Sequence, residues 1–195
     1  MSSIQLIVGL GNPGPQYANT RHNAGAWFVE LLAEKARCNL RPESKFHGML
    51  GTARLFNQEF YLFIPTTYMN ESGIAVRAIA NYYKILPENI LIVHDEIDLP
   101  PGIIRLKFDG GTGGHNGLSD IIDHLQSKKF HRLRVGVGHP GNQEAVVDYV
   151  LSPPSKAEKQ SIEATLQQAE EALPLILEGH FQKAMQVLHS PTQEE

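Results

Sequence analysis

Cysteine occurs once in this 195-residue sequence, at Cys38, which excludes an internal disulfide, and a chain of this length buries a core without such staples. Apolar residues make up 42% of the chain, yet no apolar run reaches the roughly 18 residues that a membrane span needs. The start, MSSIQLIVGL, is too short and uncharged for a signal peptide, so a soluble cytoplasmic protein with no membrane partner is expected. Positive charge is not in excess: the formal net charge is −4, and any nucleic-acid partner has to be held by a local patch. Internal repeats, low-complexity tracts and long heptads are absent, which leaves a monomer with no obligate protein partner as the expected state.

The usual marks of nucleophilic and metal chemistry are also missing. There is no G-x-S-x-G elbow, and Cys38, at the end of an amphipathic helix, reads as packing filler. The nine histidines are scattered, with no H-E-x-x-H and no Cys/His cluster at ligand spacing. His94-Asp95-Glu96 alternates across a strand and does not converge. Neither a metal nor a cofactor is expected. One motif suggests otherwise: Gly9-Leu10-Gly11-Asn12-Pro13-Gly14 satisfies the dinucleotide fingerprint G-x-G-x-x-G, and on it alone rests a reading as a nucleotide-dependent oxidoreductase. Pro13 and Pro15 oppose that reading, because they break the strand-to-helix passage that a pyrophosphate requires. The polar cluster that follows, Asn12, Tyr17, Asn19, Arg21, His22 and Asn23, needs another explanation.

What is present is an interleaving of strands and helices. Ile4 to Val8 is a short β-branched apolar run with a glycine stop, a buried strand expected centrally in a sheet. Asn23 is placed to cap a helix whose stripe of Trp27, Phe28, Leu31 and Leu32 ends near Arg37. His47 to Phe56 and Glu59 to Ile64 flank the turn-like pair Asn57-Gln58 as an antiparallel hairpin. Ile74 to Tyr83 carries the next helical stripe, stopped by Pro87, and Ile90 to Val93 is a parallel-type strand that delivers His94, Asp95 and Glu96. Ile103 to Phe108 and Arg132 to Val137 alternate as strands, separated by the loop GGTGGHNG and a short helix from Leu118 to Leu125. Ser155 opens a helix to Glu178, and Phe181 to Leu188 follows. The pattern predicts a single α/β domain over 1–195: a twisted, mixed and mostly parallel sheet flanked by helices (1–152), a hinge at Ser152-Pro153-Pro154, and a helical C-terminal part (155–189).

In open α/β sheets ligands gather beyond the carboxyl ends of the strands, where the loops after Gly11, Ile64 and Val93 are expected to meet. His22 alone reads as a solvated loop histidine and Asp95 alone as a cap or turn acceptor. At one sheet edge, however, Asp95 can fix the tautomer of His22 and stabilise its cation, leaving the other nitrogen to take a proton from water. Asn12, Asn70 and Asn116 read as turn residues one by one, yet each sits in a glycine- or proline-punctuated loop and all three loops are expected at one edge of the sheet, where amide donors suit a developing oxyanion. From Pro101 to Pro140, Arg105, Lys107, Lys128, Lys129, Arg132 and Arg134 face Asp109, Asp120 and Asp123, a local +3, whereas three lysines against seven glutamates from Leu151 onward give −4.

Taken together, GLGNPGPQYANTRHNAG (Gly9 to Gly25), PTTYMNESG (Pro65 to Gly73), GGTGGHNGL and FHRLRVGVGHP (within Gly110 to Pro140) resemble the bacterial-type peptidyl-tRNA hydrolase family from Ile4 to about Pro154, with a looser helical continuation. The resemblance implies an enzyme that cleaves the ester between a peptide and the tRNA ribose and so recycles tRNA, with no cofactor. It implies that His22 activates water and Asp95 orients it. Asn12 and Asn70 would line the crevice near the ester, and Asn116 would bind the peptide backbone and help place the water. Tyr17, Tyr68, Met69 and His115 would line the substrate crevice and its mobile gate, and Lys107 and Arg134 would clamp the tRNA 5′ phosphate. A rival is an RNA-binding protein on the same scaffold without hydrolysis, which loss of the base or its partner would favour; both are present.

Overall fold

The computed structural model describes residues 3–189. Seven strands form one sheet in the order β2-β3-β4-β1-β5-β7-β6. The strands are β1 (Leu6–Gly9), β2 (Arg41–Glu43), β3 (Gly48–Leu55), β4 (Gln58–Pro65), β5 (Ile90–Glu96), β6 (Ile104–Phe108) and β7 (His131–Gly136). Strands β4, β1, β5 and β7 lie side by side in parallel, and β3 and β6 run against them. Because β2 is antiparallel to β3, five of the seven strands share one direction. As expected, β1 is central and fully buried.

Alternation along the central strands divides the apolar side chains between two faces. Ile7, Leu91, Val93, Leu133 and Val135 pack against α1 (Ala24–Lys35), α5 (Lys156–Leu177) and α6 (Phe181–His189). Leu6, Val8, Ile90 and Ile92 pack against α2 (Ser72–Tyr83) and α3 (Asn116–Leu125). The C-terminal helices thus belong to the same core. Ser155 caps α5 through a reciprocal capping box with Glu158, and Lys159 lies 3.3 Å over the Trp27 ring, fastening α5 to α1. The Ser152-Pro153-Pro154 junction is tied down: the buried Arg21 guanidinium donates to Ser152 Oγ at 2.6 Å and Tyr149 O at 3.0 Å, and pairs with Glu158 at 3.3 Å.

Two local expectations are corrected, and two short elements lie outside them. Asn23 precedes α1 without capping it; its side chain bonds into the Gly11–Asn12 loop instead. The hairpin turn falls on Phe56 and Asn57, both in the left-handed region, which matches the twist of the flanking strands, so it lies one residue before Asn57-Gln58. Edge strand β2 contains Pro42, a residue tolerated only where no partner needs its amide. A short helix, α4 (Val146–Val150), occupies a stretch whose β-branched residues carry no helical period.

Candidate active site

Close approach of two backbones sets the geometry. A Cβ on Gly25, in the first turn of α1, would stand 2.1 Å from Val93 O, so only glycine lets α1 lie this tightly on β5. That contact carries the 3-10 turn Arg21–Asn23, immediately before α1, to the carboxyl end of β5, where Asp95 emerges. His22 Nδ1 consequently meets Asp95 Oδ1 at 2.9 Å and Oδ2 at 3.0 Å. Asp95 is 2% exposed and His22 12%. A carboxylate there is an acceptor only, so Nδ1 carries the proton and Nε2 is the nitrogen left to the cavity.

Burial works against the imidazolium of His22, but the charge and hydrogen bond of Asp95 outweigh it, and His22 titrates above the ordinary histidine range. Burial likewise opposes ionisation of Asp95, yet His22 and His115 hold its carboxyl well below the usual range. His94, fully enclosed on the other side of the strand, is pushed down to about 3 chiefly by burial and stays uncharged, its Nδ1–H donating to Asp95 O at 2.8 Å.

His22 and Asp95 open onto a cavity of about 550 Å³, also lined by Asn12, Tyr68, Met69, Asn70, His115 and Asn116. Asn12 Oδ1 accepts the Met69 amide at 2.7 Å, which commits its oxygen and leaves the Nδ2 hydrogens as the side chain's donors. Asn70 sits exposed on the 3-10 turn Met69–Glu71, and Asn116, also exposed, begins α3. Asp120 of α3 accepts the Gly73 amide of α2 at 2.7 Å, which ties the first turn of α2 to α3. The three asparagines therefore reach one cavity from three different loops.

Two expectations separate from this group. Tyr17 does not line the cavity: its amide bonds Gly14 O and its carbonyl accepts from Thr20, which makes it part of a turn. Lys107 and Arg134 lie outside the cavity lining, on the β6–β7 ribbon. Arg105 pairs across the ladder with Arg134 and Lys107 with Arg132, so four cations share the face opposite Leu106 and Leu133. Arg134 reaches Glu96, a cavity residue, at 3.7 Å, joining the basic face to the cavity. Arg132 is buried and donates to Gly111 O, to Gly110 O at 2.8 Å and to Lys128 O at 3.2 Å, so it braces the glycine-rich loop.

Sequence reading missed the wall made by Ile97, Val146, Val147, Val150 and Leu151. Asn142, whose Oδ1 accepts from Ala145 N, was the available sign of a helical turn there.

His22, Asp95 and His115 place three ligand-type atoms within 4.8 Å of one another. Their surroundings do not fit a cation. A histidine bound to metal through Nε2 donates its Nδ1–H to an acceptor, whereas His115 Nδ1 receives the Gly117 and Leu118 amides. The arrangement instead suits proton transfer: an oriented imidazole, a buried carboxylate behind it, amide donors around a cavity, and a basic face alongside.

A family model described as Peptidyl-tRNA hydrolase matches residues 6–195. A protein named peptidyl-tRNA hydrolase from Nitrosospira multiformis is 53% identical over 190 residues, covering 97% of this chain and 100% of its own. Another so named, from Pseudoalteromonas translucida, is 51% identical over 191 residues, covering 97% and 98%. The solved structure of peptidyl-tRNA hydrolase from Acinetobacter baumannii superposes with a TM-score of 0.95 at 47% identity, covering 97% of this chain and 96% of that one.

Proposed function

The chain belongs to the peptidyl-tRNA hydrolase family and is an enzyme that hydrolyses the ester between a peptide and the tRNA ribose, and from that premise we propose how its residues divide the work. His22 Nε2 takes a proton from water as the water attacks the ester carbonyl, while Asp95 holds the ring and stabilises the imidazolium. The oxyanion that develops receives the Nδ2 donors of Asn12 and Asn70, a role supported by the presence of both side chains in the cavity lining. The imidazolium then returns its proton to the departing ribose oxygen. An ester needs no more than this: a positioned base contributes about 10²–10⁴-fold, and each oxyanion donor roughly 3 kcal/mol. The observation that carries the reading is the two-oxygen contact of Asp95 with His22 Nδ1 at the cavity floor.

Asn116 binds the peptide backbone and helps place the water, with Tyr68, Met69 and His115 bordering the substrate. Lys107 and Arg134 hold the 5′ phosphate, a role supported by the three cations Arg105, Lys107 and Arg134 that share that face beside the buried Arg132, and by its junction with the cavity through Glu96. An N-blocked amino group suits the neutral amides of Asn12 and Asn116, whereas a free ammonium is disfavoured beside an imidazolium. Among the described residues no helix is long and apolar enough to cross a membrane, and the substrate is a product of translation, so we assign the enzyme to the cytoplasm, working as a monomer without an obligate protein partner. We take residues 1–195 as one unit, a reading supported by the hydrophobic core that the described sheet residues share with the helical part over 155–189.

Single-turnover hydrolysis of N-acetyl-aminoacyl-tRNA by wild type and His22→Ala, with binding measured in parallel, tests the assignment. Loss of about 10²–10⁴-fold in rate with binding retained is expected. Wild-type turnover in His22→Ala overturns it.

A further inference from the structure

We propose that His115 is a positioning residue for the reaction, holding Asp95 from the other helical layer in a single tautomer that the first turn of α3 imposes. The proposal rests on the reading of His22 as base and Asp95 as its orienter.

His115 is the N-cap of α3, with extended backbone angles of φ −76 and ψ 116. Ser, Thr, Asp and Asn are the usual residues there, because a side-chain oxygen accepts the unpaired amides of the first turn. In this chain the acceptor is a ring nitrogen: His115 Nδ1 receives the Gly117 amide at 3.1 Å and the Leu118 amide at 3.3 Å. Both partners are donors, so Nδ1 presents its lone pair and the ring proton sits on Nε2. Nε2 stands 2.9 Å from Asp95 Oδ1. The helix terminus thereby converts a residue with two possible tautomers into a fixed donor aimed at the carboxylate.

The same oxygen serves the base. Oδ1 also lies 2.9 Å from His22 Nδ1, and the two rings are 4.9 Å apart, tilted by 48°. His22 arrives from the layer containing α1 and His115 from the layer containing α3, so the two sides of the sheet close over the end of β5 on one carboxylate. The buried ring of His94 meets His115 edge-on at 5.0 Å and 67°, limiting its rotation. A carboxylate bonded from both layers cannot swing away from His22. Its charge is also shared between two N–H donors, so it favours the His22 cation less than an unshared carboxylate does, which keeps more of the base in its working form.

Cap and carboxylate roles separate by substitution. His115→Asn keeps a good N-cap for Gly117 and Leu118 but is too short to reach Asp95, and His115→Ser does the same with a second cap residue; His115→Ala removes both roles. The Asn and Ser variants are expected to melt within a few degrees of wild type and to lose about tenfold or more in kcat, with KM changing by less than about threefold. The acid limb of kcat/KM is expected to move up by about one pH unit, matched by the NMR titration of the His22 ring, because the unshared Oδ1 favours the imidazolium. Wild-type kcat and an unmoved limb in both capped variants overturn the proposal, as does a rise confined to KM, which makes His115 a substrate contact. His22→Ala run alongside separates the two levels: full turnover there removes the base itself, whatever His115 does.

Discussion

Asn12 and Asn23 bond to each other in both directions: the Asn12 amide donates to Asn23 Oδ1 at 2.8 Å, and Asn23 Nδ2 returns a bond to Asn12 O at 3.0 Å. This pair stiffens the loop after β1 and, with the Met69 amide on Asn12 Oδ1, fixes the side chain of Asn12 in the cavity lining. A glycine stands at position 11 for the same reason, since a Cβ there would lie 2.8 Å from Asn23 Cγ. The fingerprint-like glycines thus shape a polar loop.

Asn12→Asp keeps the size and the Met69 bond but removes the donors. Its kcat is expected to fall by about 10²–10³-fold, with KM altered by less than about threefold. A loss expressed mainly in KM would make Asn12 a substrate anchor and leave the oxyanion to other groups.

Replacing Lys107 by Ala removes one of the three cations, with Arg105 and Arg134, that the β6–β7 face carries beside the buried Arg132. It is expected to raise KM several-fold, leave kcat within about threefold, and shallow the log–log dependence of kcat/KM on salt by close to 0.7–0.9, the contribution of one phosphate contact. A fall in kcat with KM and salt slope unchanged would move Lys107 into the chemical step.

Gly25→Ala tests whether helix–strand contact builds the site. The added methyl would stand 2.1 Å from Val93 O, forcing α1 away from β5 and His22 away from Asp95. A loss of about 2–3 kcal/mol is expected, a fall in Tm of roughly 5–10 °C, together with most of the activity. Gly111, where an added Cβ meets nothing within 4 Å, is the control: Gly111→Ala is expected to melt within about 2 °C of wild type. Equal melting temperatures for the two variants would contradict this reading.

The order of elements was readable because apolar spacing reports burial: Ile90 to Val93 could only be an interior strand, and polar residues immediately after Gly11, Ile64 and Val93 marked the edge where ligands collect. That edge placed His22, Asp95 and three asparagines near one another. Other features depend on tertiary contacts that no local pattern encodes. The stretch Val146-Val147-Asp148-Tyr149-Val150 is β-branched and too short to display a helical period, so the apolar cavity wall was invisible. Asn23 has a cap residue's chemistry but bonds across the loop, and histidine is not among the residues expected to cap α3. Tyr17, between Asn12 and His22 in sequence, is not among the residues that line the cavity.

The central claim is that neutral His22, held by Asp95, is the base. It is tested most directly by following the His22 ring titration by NMR and the pH dependence of kcat/KM on the same preparation, in wild type and Asp95→Asn. Burial lowers and Asp95 more strongly raises the His22 pKa, so the rate is expected to climb as pH rises through a midpoint above about 6.5, the same midpoint that the ring reports. In Asp95→Asn both midpoints should move down together while the plateau rate drops by about 10²-fold or more. A rate limb that stays in place while the His22 titration moves would contradict the assignment.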